Sequence, residues 1–314
     1  MIRSVMEKGL VIKSTGSWYM VRRDDESVLP CKIKGKFRLK GTQFTNPVAV
    51  GDRVYYEMTE DGKSGIITHI QERKNYIIRK SSNFSKEAQI IAANIDKAIL
   101  VVTIVAPPTT TMFIDRYLAS AEAYRIPVLM VFNKTDLYDA AETQQMDREI
   151  ELYEGIGYPC LKTSVVSKVN IDRLKEEIKD KICLFSGHSG VGKSALVNIM
   201  DPSLRVRTGE ISDYHRKGKH TTTFPEMYPL SQGGYIIDTP GIKGFGVVDM
   251  DREEIFHFFP EIFRKSKECQ FYNCLHSREP RCAVREAVTS GLISRSRYQS
   301  YLNLLEEEDT KYRK

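Results

Sequence analysis

Two nucleotide-binding motifs occur in this chain in the reverse of their usual order, and that order restricts the folds the chain can adopt. Residues 133–136, Asn-Lys-Thr-Asp, match the pattern N-K-x-D, which reads guanine. Residues 187–194, Gly-His-Ser-Gly-Val-Gly-Lys-Ser, match the pattern G-x-x-x-x-G-K-[ST], which cradles phosphates. The phosphate motif normally comes first. A nucleotide site can still assemble if the chain enters the same fold at a different strand, so the order predicts a circularly permuted α/β domain.

The phosphate motif has the strand–loop–helix context that its chemistry needs. Residues 181–186 form a short apolar run that predicts a buried strand, and residues 193–200 predict a helix that ends before Pro202. The glycines between them let the backbone fold around phosphate with its N–H groups pointing inward, and the helix N-terminus adds a positive dipole. Lys193 would then reach the β- and γ-phosphates, and Ser194 would ligate Mg²⁺.

A third motif follows downstream. Residues 238–241, Asp-Thr-Pro-Gly, come after the apolar run 234–237, where a P-loop protein places the aspartate that holds Mg²⁺ through water. Between this motif and the phosphate loop lies a polar, basic segment that ends in three threonines, residues 221–223. A nucleotide switch needs one threonine here to meet Mg²⁺ and the γ-phosphate. We favour Thr222, although three adjacent threonines leave the register open.

The base motif follows the apolar run 128–132, at the carboxyl end of a predicted strand, where open α/β sheets bind their ligands. Asp136 can accept hydrogen bonds from the guanine N1–H and amino group, which adenine lacks. Asn133 and Lys134 would buttress the base and the neighbouring loops. Residues 163–164, Thr-Ser, can form the loop that touches the guanine carbonyl, but an ordinary surface turn explains them equally well.

These motifs, in the order N-K-x-D, Thr-Ser, phosphate loop, threonines and D-T-P-G, resemble the circularly permuted GTPases, and most closely the RsgA (YjeQ) family. The resemblance extends over essentially the whole chain. It implies an N-terminal OB-fold β-barrel, a central α/β circularly permuted P-loop GTPase domain and a C-terminal, mainly helical zinc-binding domain. We expect the OB-fold RNA-binding domain at residues 1–73, the permuted GTPase domain at residues 74–245 and the zinc-binding domain at residues 246–314.

The predicted nucleotide site draws on the motifs of the central domain. The residues expected to contact GTP are Asn133, Lys134, Thr135, Asp136, Thr163, Ser164, Gly187, His188, Ser189, Gly190, Val191, Gly192, Lys193, Ser194, Ala195, Asp238 and Gly241. Within this set His188 fills a variable position of its motif, so we assign its side chain no role. Ser194 and Thr222 are the expected magnesium ligands.

The N-terminal segment carries most of the net positive charge. The chain has a formal net charge of +6, and residues 1–75 hold 14 lysines and arginines against 9 acidic residues. Basic side chains occupy every second position of one strand-like run, and alternation puts such cations on one face. The face can bind RNA phosphates, with Trp18 or Tyr19 as a stacking surface, or it can be a solvated edge that blocks strand pairing. The resemblance to the RsgA family favours RNA binding by this face over a solvated edge. The residues concerned are Lys32, Lys34, Lys36, Arg38 and Lys40.

Three of the six cysteines cluster with a histidine. Cys269, Cys274, His276 and Cys282 have the spacing C-x₄-C-x-H-x₅-C, which also matches the zinc motif of the RsgA family. Three thiolates and one imidazole make a closed tetrahedral site, so the zinc would be structural. A disulfide is the alternative, but an intracellular chain disfavours it and one cysteine would be left over. The other three cysteines are interpreted as small buried apolar residues: Cys31, Cys160 and Cys183.

The residues that would catalyse hydrolysis have the weakest sequence signature. Ile242 follows D-T-P-G where Ras-like GTPases place a water-orienting glutamine, so a low intrinsic rate is expected and a partner or another residue must help. His220, beside the switch threonines, is the candidate, because the family's pattern of glycine, basic residue, histidine and threonines is intact here. His220 could instead only pack or bind RNA. The expected catalytic residues are thus His220 and Thr222.

The resemblance implies a GTPase that binds the small (30S) ribosomal subunit near its decoding region and hydrolyses GTP during late assembly, stimulated by the subunit. It would use Mg²⁺ and one structural Zn²⁺, contact ribosomal RNA and act as a monomer. A nucleotide-dependent RNA-binding switch with little functional hydrolysis is the rival from another class.

No apolar run reaches the length of a membrane span and no signal peptide is evident, which predicts a cytoplasmic protein. Residues 81–89 are polar and predict a linker or flexible loop.

Overall fold

The computed structural model describes residues 6–33, 47–80, 88–204, 226–238 and 251–311. It divides into two compact units that each combine several stretches of chain. The first unit comprises Met1–Ile99, Ile171–Phe185 and Lys193–Gly241, and the second comprises Leu100–Asn170, Ser186–Gly192 and Ile242–Lys314. Each unit is described by itself.

The first unit begins with a closed five-stranded barrel. Its strands are β1 (Glu7–Ser14), β2 (Tyr19–Arg22), β3 (Val28–Ile33), β4 (Arg53–Met58) and β5 (Gly65–Ile70). β1 pairs with β2 and β2 with β3 in antiparallel fashion, β3 pairs with β5 in parallel, and β5 pairs with β4. The pairing of β4 with β1 closes the barrel. This confirms the predicted N-terminal β-barrel.

Alternating apolar residues fill the interior of the barrel, as period-two patterning requires. Val11, Val21 and Tyr56 are buried in its core, together with Cys31. A Cβ on Gly65 would lie 2.8 Å from the Cys31 sulfur, so strand β5 can approach β3 only with glycine at this position. Tyr19 also lies in this core and is only 3% exposed. The suggestion that Tyr19 stacks on RNA is therefore wrong, because its ring supports the barrel instead.

A β-hairpin follows the barrel, and the sequence analysis did not predict it. It consists of β6 (Tyr76–Lys80) and β7 (Ala88–Ala93), paired in antiparallel fashion. The prediction of a linker over residues 81–89 is wrong at its last two positions, because residues 88 and 89 belong to β7. Residues 81–87 lie outside the described part of the chain. Ile90 of β7 pairs with Ile78 of β6 and is buried.

The remainder of the first unit is α/β. Its elements are β8 (Lys97–Val102), which runs across the boundary after Ile99, α3 (Ile171–Ile178), β11 (Ile182–Ser186), α4 (Lys193–Met200), β12 (Glu226–Pro229) and β13 (Tyr235–Asp238). β11 and β13 are parallel, and β12 pairs with β13 in antiparallel fashion. β12 also joins β1 of the barrel, where Lys13 Nζ lies 2.8 Å from Glu226 Oε2.

The second unit contains the rest of the α/β region. Its elements are α1 (Thr111–Ala123), β9 (Val128–Phe132), α2 (Ala140–Ile156) and β10 (Cys160–Lys162). β9 is buried along its whole length, pairs in parallel with β10 and lies beside the end of β8. Helix α2 begins at a capping box formed by Asp139 and Glu142 and ends at Gly157, whose φ is +124°. These elements confirm the predicted alternation of strands and helices.

The C-terminal part of the second unit is helical, as predicted. It contains α5 (Pro260–Ser266), α6 (Ala283–Thr289) and α7 (Arg295–Lys311). Phe259, Ile262 and Tyr301 form its apolar core, and this core extends to Ala119 of α1. Within the described ranges, none of the helices combines the length and hydropathy needed to cross a membrane.

Candidate functional site

The base motif stands in a turn at the carboxyl end of β9, and its first residue connects three parts of the second unit. Asn133 is 1% exposed, and its Nδ2 donates to the carbonyl of Val191 in the phosphate loop at 2.9 Å. Its Oδ1 accepts from Thr163 Oγ1 at 3.0 Å. The amide side chain therefore uses both its donor and its acceptor to hold the base motif, the phosphate loop and the Thr163 loop together.

The acidic residue of the motif is placed to accept from a ligand. Asp136 is exposed in the middle of a short 3₁₀ turn, Thr135–Leu137, and Oγ of the buried Ser164 donates to its Oδ1. Thr135 Oγ1 donates to the carbonyl of Thr163 at 3.2 Å. The structure thus brings residues 163 and 164 to the base motif, although the sequence explained them equally well as a surface turn. An exposed carboxylate fixed in this way suits the paired donors of a guanine edge.

The glycines of the phosphate loop are required by close backbone approach. Gly187, Gly190 and Gly192 have φ values of +140°, +85° and +99°. A Cβ on Gly187 would lie 2.2 Å from the Val101 carbonyl oxygen, and one on Gly192 would lie 2.4 Å from Asn133 Nδ2. No side chain fits at either position, so the loop keeps this backbone path only with glycine. Ser189 is exposed and Val191 is buried.

His188 has a packing contact that the sequence did not suggest. Its ring lies 3.9 Å, centroid to centroid, from the ring of Phe113 on α1. The side chain is therefore directed towards α1 and supports the loop from the protein side. The contact of His188 with GTP stays a prediction, and its side chain is assigned no role there.

The phosphate loop continues along the chain into α4 of the first unit. Lys193 and Ser194 open this helix and are 6% and 9% exposed, followed by the half-buried Ala195. Burial lowers the pKa of Lys193 to about 8. A bound phosphate would oppose that shift, because an adjacent anion favours the ammonium form. Ser194 supplies a hydroxyl oxygen in the first turn, the ligand type that Mg²⁺ prefers.

Several predicted site residues fall outside the described part of the chain. They are His220, Thr222, Gly241, Lys34, Lys36, Arg38 and Lys40. Asp238 ends β13, but only its backbone is described. Lys32, the remaining member of the basic run, is exposed, and its Nζ lies 4.4 Å from the centroid of the Trp18 ring. This cation–π pair keeps one cation and one aromatic ring together at the barrel surface.

The four predicted metal ligands meet in the second unit. All four ligand atoms of Cys269, Cys274, His276 and Cys282 lie within 4.8 Å of one another. His276 Nδ1 is 3.5 Å from the sulfurs of Cys269 and Cys282, and those sulfurs are 3.9 Å apart. A tetrahedral zinc ion with ordinary bond lengths requires about 3.8 Å between sulfurs and about 3.6 Å between sulfur and nitrogen. Cys269, His276 and Cys282 therefore already have nearly tetrahedral spacing, and Cys274 lies close enough to complete a donor set that could bind a metal ion.

Hydrogen bonds from outside the ligand set hold the metal-binding loop. Although burial works to raise its pKa, backbone N–H donors keep the pKa of Glu279 below its ordinary value. Those donors are the amides of residues 275, 277 and 278. Tyr298 donates to the carbonyl of His276 at 2.6 Å, and Tyr301 donates to that of Leu275. His276 is buried with Nδ1 towards the thiols, and its Nε2 has no hydrogen-bond partner within the described residues. This orientation leaves Nδ1 as the ligand atom.

The three isolated cysteines differ in burial. Cys31 and Cys183 are completely buried, and burial raises the pKa of their thiols to about 11 and about 12. Both therefore fit the interpretation as apolar core residues. Cys160, at the start of β10, is only half-buried, so that interpretation is corrected for this residue.

Sequence reasoning missed two groups of residues around these sites. Tyr138, two positions after the base motif, donates to the carbonyl of Asn133 at 2.6 Å. Arg297 and Asp115 form a buried ion pair between α7 and α1. The one sequence signal for Tyr138 was its proximity to the base motif. Arg297 and Asp115 are too far apart in sequence for any local pattern to indicate their pairing.

Comparison with known proteins places these features in a family. A family model described as RsgA GTPase matches residues 70–248, and one described as RsgA N-terminal domain matches residues 8–67. The chain is 59% identical over 307 residues to the small ribosomal subunit biogenesis GTPase RsgA 2 of Bacteroides thetaiotaomicron, covering 98% of this chain and 99% of the relative. It shows the same identity and coverage with the small ribosomal subunit biogenesis GTPase RsgA of Bacteroides fragilis.

Two solved structures have a similar fold along nearly the whole chain. YjeQ from Thermotoga maritima is 36% identical, with a TM-score of 0.79 and coverage of 96% of this chain and 98% of that one. YloQ, a circularly permuted GTPase, is 31% identical, with a TM-score of 0.75 and coverage of 98% and 96%.

Proposed function

This chain belongs to the RsgA GTPase family, and from that premise we propose that it acts in the assembly of the small ribosomal subunit. The chain is a GTP hydrolase. In the proposal it binds the small subunit near its decoding region and hydrolyses GTP late in assembly, and the subunit stimulates hydrolysis. The chain-long identity to small ribosomal subunit biogenesis GTPases carries the proposal. A switch with little functional hydrolysis is not favoured by membership of a GTPase family.

Guanine recognition in this proposal uses the base motif. Asp136 accepts from the N1–H and amino group of guanine, and Ser164 holds its carboxylate in place. Asn133 ties this pocket to the phosphate loop through the carbonyl of Val191, a contact of 2.9 Å. The arrangement supports discrimination against adenine, because an adenine edge would leave the Asp136 carboxylate opposite the wrong groups.

The phosphates are held by the loop N–H groups and by Lys193 at the start of α4. Ser194 and Thr222 are the proposed protein ligands of Mg²⁺, with Asp238 acting through water. When bound, Mg²⁺ would neutralise charge on the β- and γ-phosphates. His220 is proposed to orient the attacking water, because Ile242 occupies the position where a glutamine would do so.

The Cys₃His cluster is proposed to hold one zinc ion with a structural role. Four protein ligands leave no open position for water or substrate, so this ion would stabilise the helical region and take no part in hydrolysis. The distances between the ligand atoms support a tetrahedral ion.

Ribosomal RNA is proposed to bind the basic face of the barrel. Lys32, exposed beside Trp18, is the described member of the alternating run that continues through Lys34, Lys36, Arg38 and Lys40. Contacts from such a face go mainly to phosphates and weaken with salt. We further propose that the protein is a monomer that acts in the cytoplasm, where ribosomal subunits assemble.

Multiple-turnover GTP hydrolysis with purified small subunits, with large subunits and with neither tests the proposal. We expect strong stimulation by small subunits alone. Co-sedimentation with small subunits should be strongest with a non-hydrolysable GTP analogue and weaker with GDP or without nucleotide. Equal hydrolysis rates in all three mixtures, or co-sedimentation with large subunits only, would overturn it.

A further inference from the structure

We propose that Tyr138 is a positioning residue of the nucleotide site. Its hydroxyl holds the carbonyl of Asn133 and the β8–α1 loop, residues 103–110, in one arrangement. This inference rests on the proposed function, because it concerns the guanine nucleotide that the base motif would bind. Tyr138 lies outside every motif of the site, two positions after the last residue of N-K-x-D.

The hydroxyl of Tyr138 uses both of its hydrogen-bonding roles. It donates to the backbone carbonyl of Asn133 at 2.6 Å and accepts from the backbone N–H of Ile104 at 3.0 Å. Asn133 is 1% and Ile104 is 7% exposed, so water has little access to either residue. A tyrosine hydroxyl is protonated at neutral pH and can donate, and burial raises the pKa of Tyr138 further above its ordinary value. One oxygen atom thus connects the end of β9 to the loop that follows β8.

The β8–α1 loop is itself closed and touches both halves of the site. Thr103 donates through Oγ1 to the carbonyl of Pro107, and its N–H donates to Thr109 Oγ1 at 3.1 Å. Lys134 of the base motif donates to the carbonyl of Ala106 in the same loop. On the other side, a Cβ on Gly190 would lie 3.3 Å from Pro107 Cδ, so the loop lies directly against the phosphate loop.

Loss of the hydroxyl should therefore act on nucleotide binding more than on folding. Without it, the Ile104 N–H and the Asn133 carbonyl each lose a partner in a place that water hardly reaches, which disfavours the present arrangement. The change would reach the phosphate loop, because Asn133 is also bonded to its Val191. GTP and GDP share the guanine and the first phosphates, so their affinities should fall together. Hydrolysis of bound GTP should be unchanged, because no γ-phosphate contact is involved.

The test compares Tyr138→Phe with Tyr158→Phe in the full-length protein. Tyr158 is the control, since its hydroxyl also makes a hydrogen bond, donating to Glu122 at 2.9 Å, away from both motifs. Dissociation of a fluorescent GDP analogue should be about 5- to 20-fold faster in the Tyr138 variant, with KM for GTP raised and kcat unchanged. The Tyr158 variant should match the wild type in all three. Tm should fall by similar amounts in the two nucleotide-free variants.

Equal dissociation rates in the two variants would overturn the role of Tyr138, and so would a lower kcat with unchanged dissociation. A larger loss of Tm in the Tyr138 variant, without faster dissociation, would show a purely structural role and also overturn it. A wild-type protein that binds no guanine nucleotide would instead reject the proposed function itself.

Discussion

Nη1 of Arg297 lies 2.9 Å from Oδ1 of Asp115, and neither side chain is exposed to solvent. Arg297 also donates through Nε and Nη2 to the carboxylate of Glu261 at 2.7 and 3.2 Å, and Tyr153 donates to Asp115 at 2.9 Å. Burial works to lower the pKa of Arg297, but the two carboxylates raise it above its ordinary value. The cluster connects α7 to α1 and α5 independently of the metal ligands.

Removing the arginine should strongly destabilise the second unit. Arg297→Ala would leave Asp115 as a buried charge without its main partner, and we expect a loss of about 3–5 kcal/mol in the free energy of unfolding. Chemical denaturation measures this loss. Arg116→Ala breaks the ion pair with Glu307, whose side chain is half exposed, and should cost less than about 1 kcal/mol. Equal effects of the two substitutions would contradict the importance of the buried cluster.

Replacement of the guanine-reading carboxylate should change base preference. Asp136→Asn removes the acceptor for two guanine donors, so GTP affinity should fall at least about tenfold while xanthosine triphosphate becomes the preferred ligand. Competition titrations with both nucleotides measure the change. Asp139→Asn is the control, because Asp139 caps α2 and asparagine caps helices equally well. Unchanged GTP affinity in Asp136→Asn would reject the assignment.

The proposed zinc site predicts both the metal content of the protein and the folding of its C-terminal helices. Protein purified without chelators should contain about one zinc per chain, and Cys274→Ser should lose it, since a serine hydroxyl is a poor replacement for a thiolate. The C-terminal helices should then unfold locally while guanine nucleotide still binds. Elemental analysis and hydrogen exchange report the two effects. Cys160→Ser should keep its zinc, because Cys160 lies outside the cluster. A zinc-free wild-type protein is the result that would falsify the prediction.

Substitution of the proposed water-orienting histidine should change the rate of hydrolysis and leave GTP affinity nearly unchanged. His220→Ala should lower the subunit-stimulated hydrolysis rate by about 10²-fold or more while GTP affinity stays nearly constant, because the interaction forms mainly in the transition state. His215→Ala, the other histidine of the same segment, is the control and should retain the rate. Full stimulated turnover in His220→Ala would assign the catalytic role to another group, such as one from the ribosome.

Charge reversal on the basic strand should weaken subunit binding and leave basal hydrolysis unchanged. Combined substitution of Lys34, Lys36 and Arg38 by glutamate should lower both the affinity and its dependence on salt, by about one unit of log–log slope for each lost phosphate contact. Lys63→Glu, an exposed position in a barrel turn, is the control. Binding at several salt concentrations gives the slopes. An unchanged slope in the triple variant would show that the basic face is only solvated.

Features with a local origin were predictable from the sequence. The apolar run at 128–132 and the helix at 193–200 coincide with β9 (Val128–Phe132) and α4 (Lys193–Met200), because a buried strand and a helix between a phosphate loop and a proline carry their own signals. The spacing of Cys269, Cys274, His276 and Cys282 was equally informative, since a tetrahedral site restricts which ligand spacings can close. The order of the nucleotide motifs indicated the permuted fold.

Tertiary structure alone decided which distant residues meet. Asp115 and Arg297 are 182 positions apart and pair only because α1 and α7 pack together. Tyr138 accepts from the N–H of Ile104, 34 positions away, and Tyr19 proves to be a core residue instead of a stacking surface. Residue type and spacing describe the chemistry that each segment can perform. Burial and partner depend on how the segments pack, and packing is a property of the whole fold that no local pattern contains.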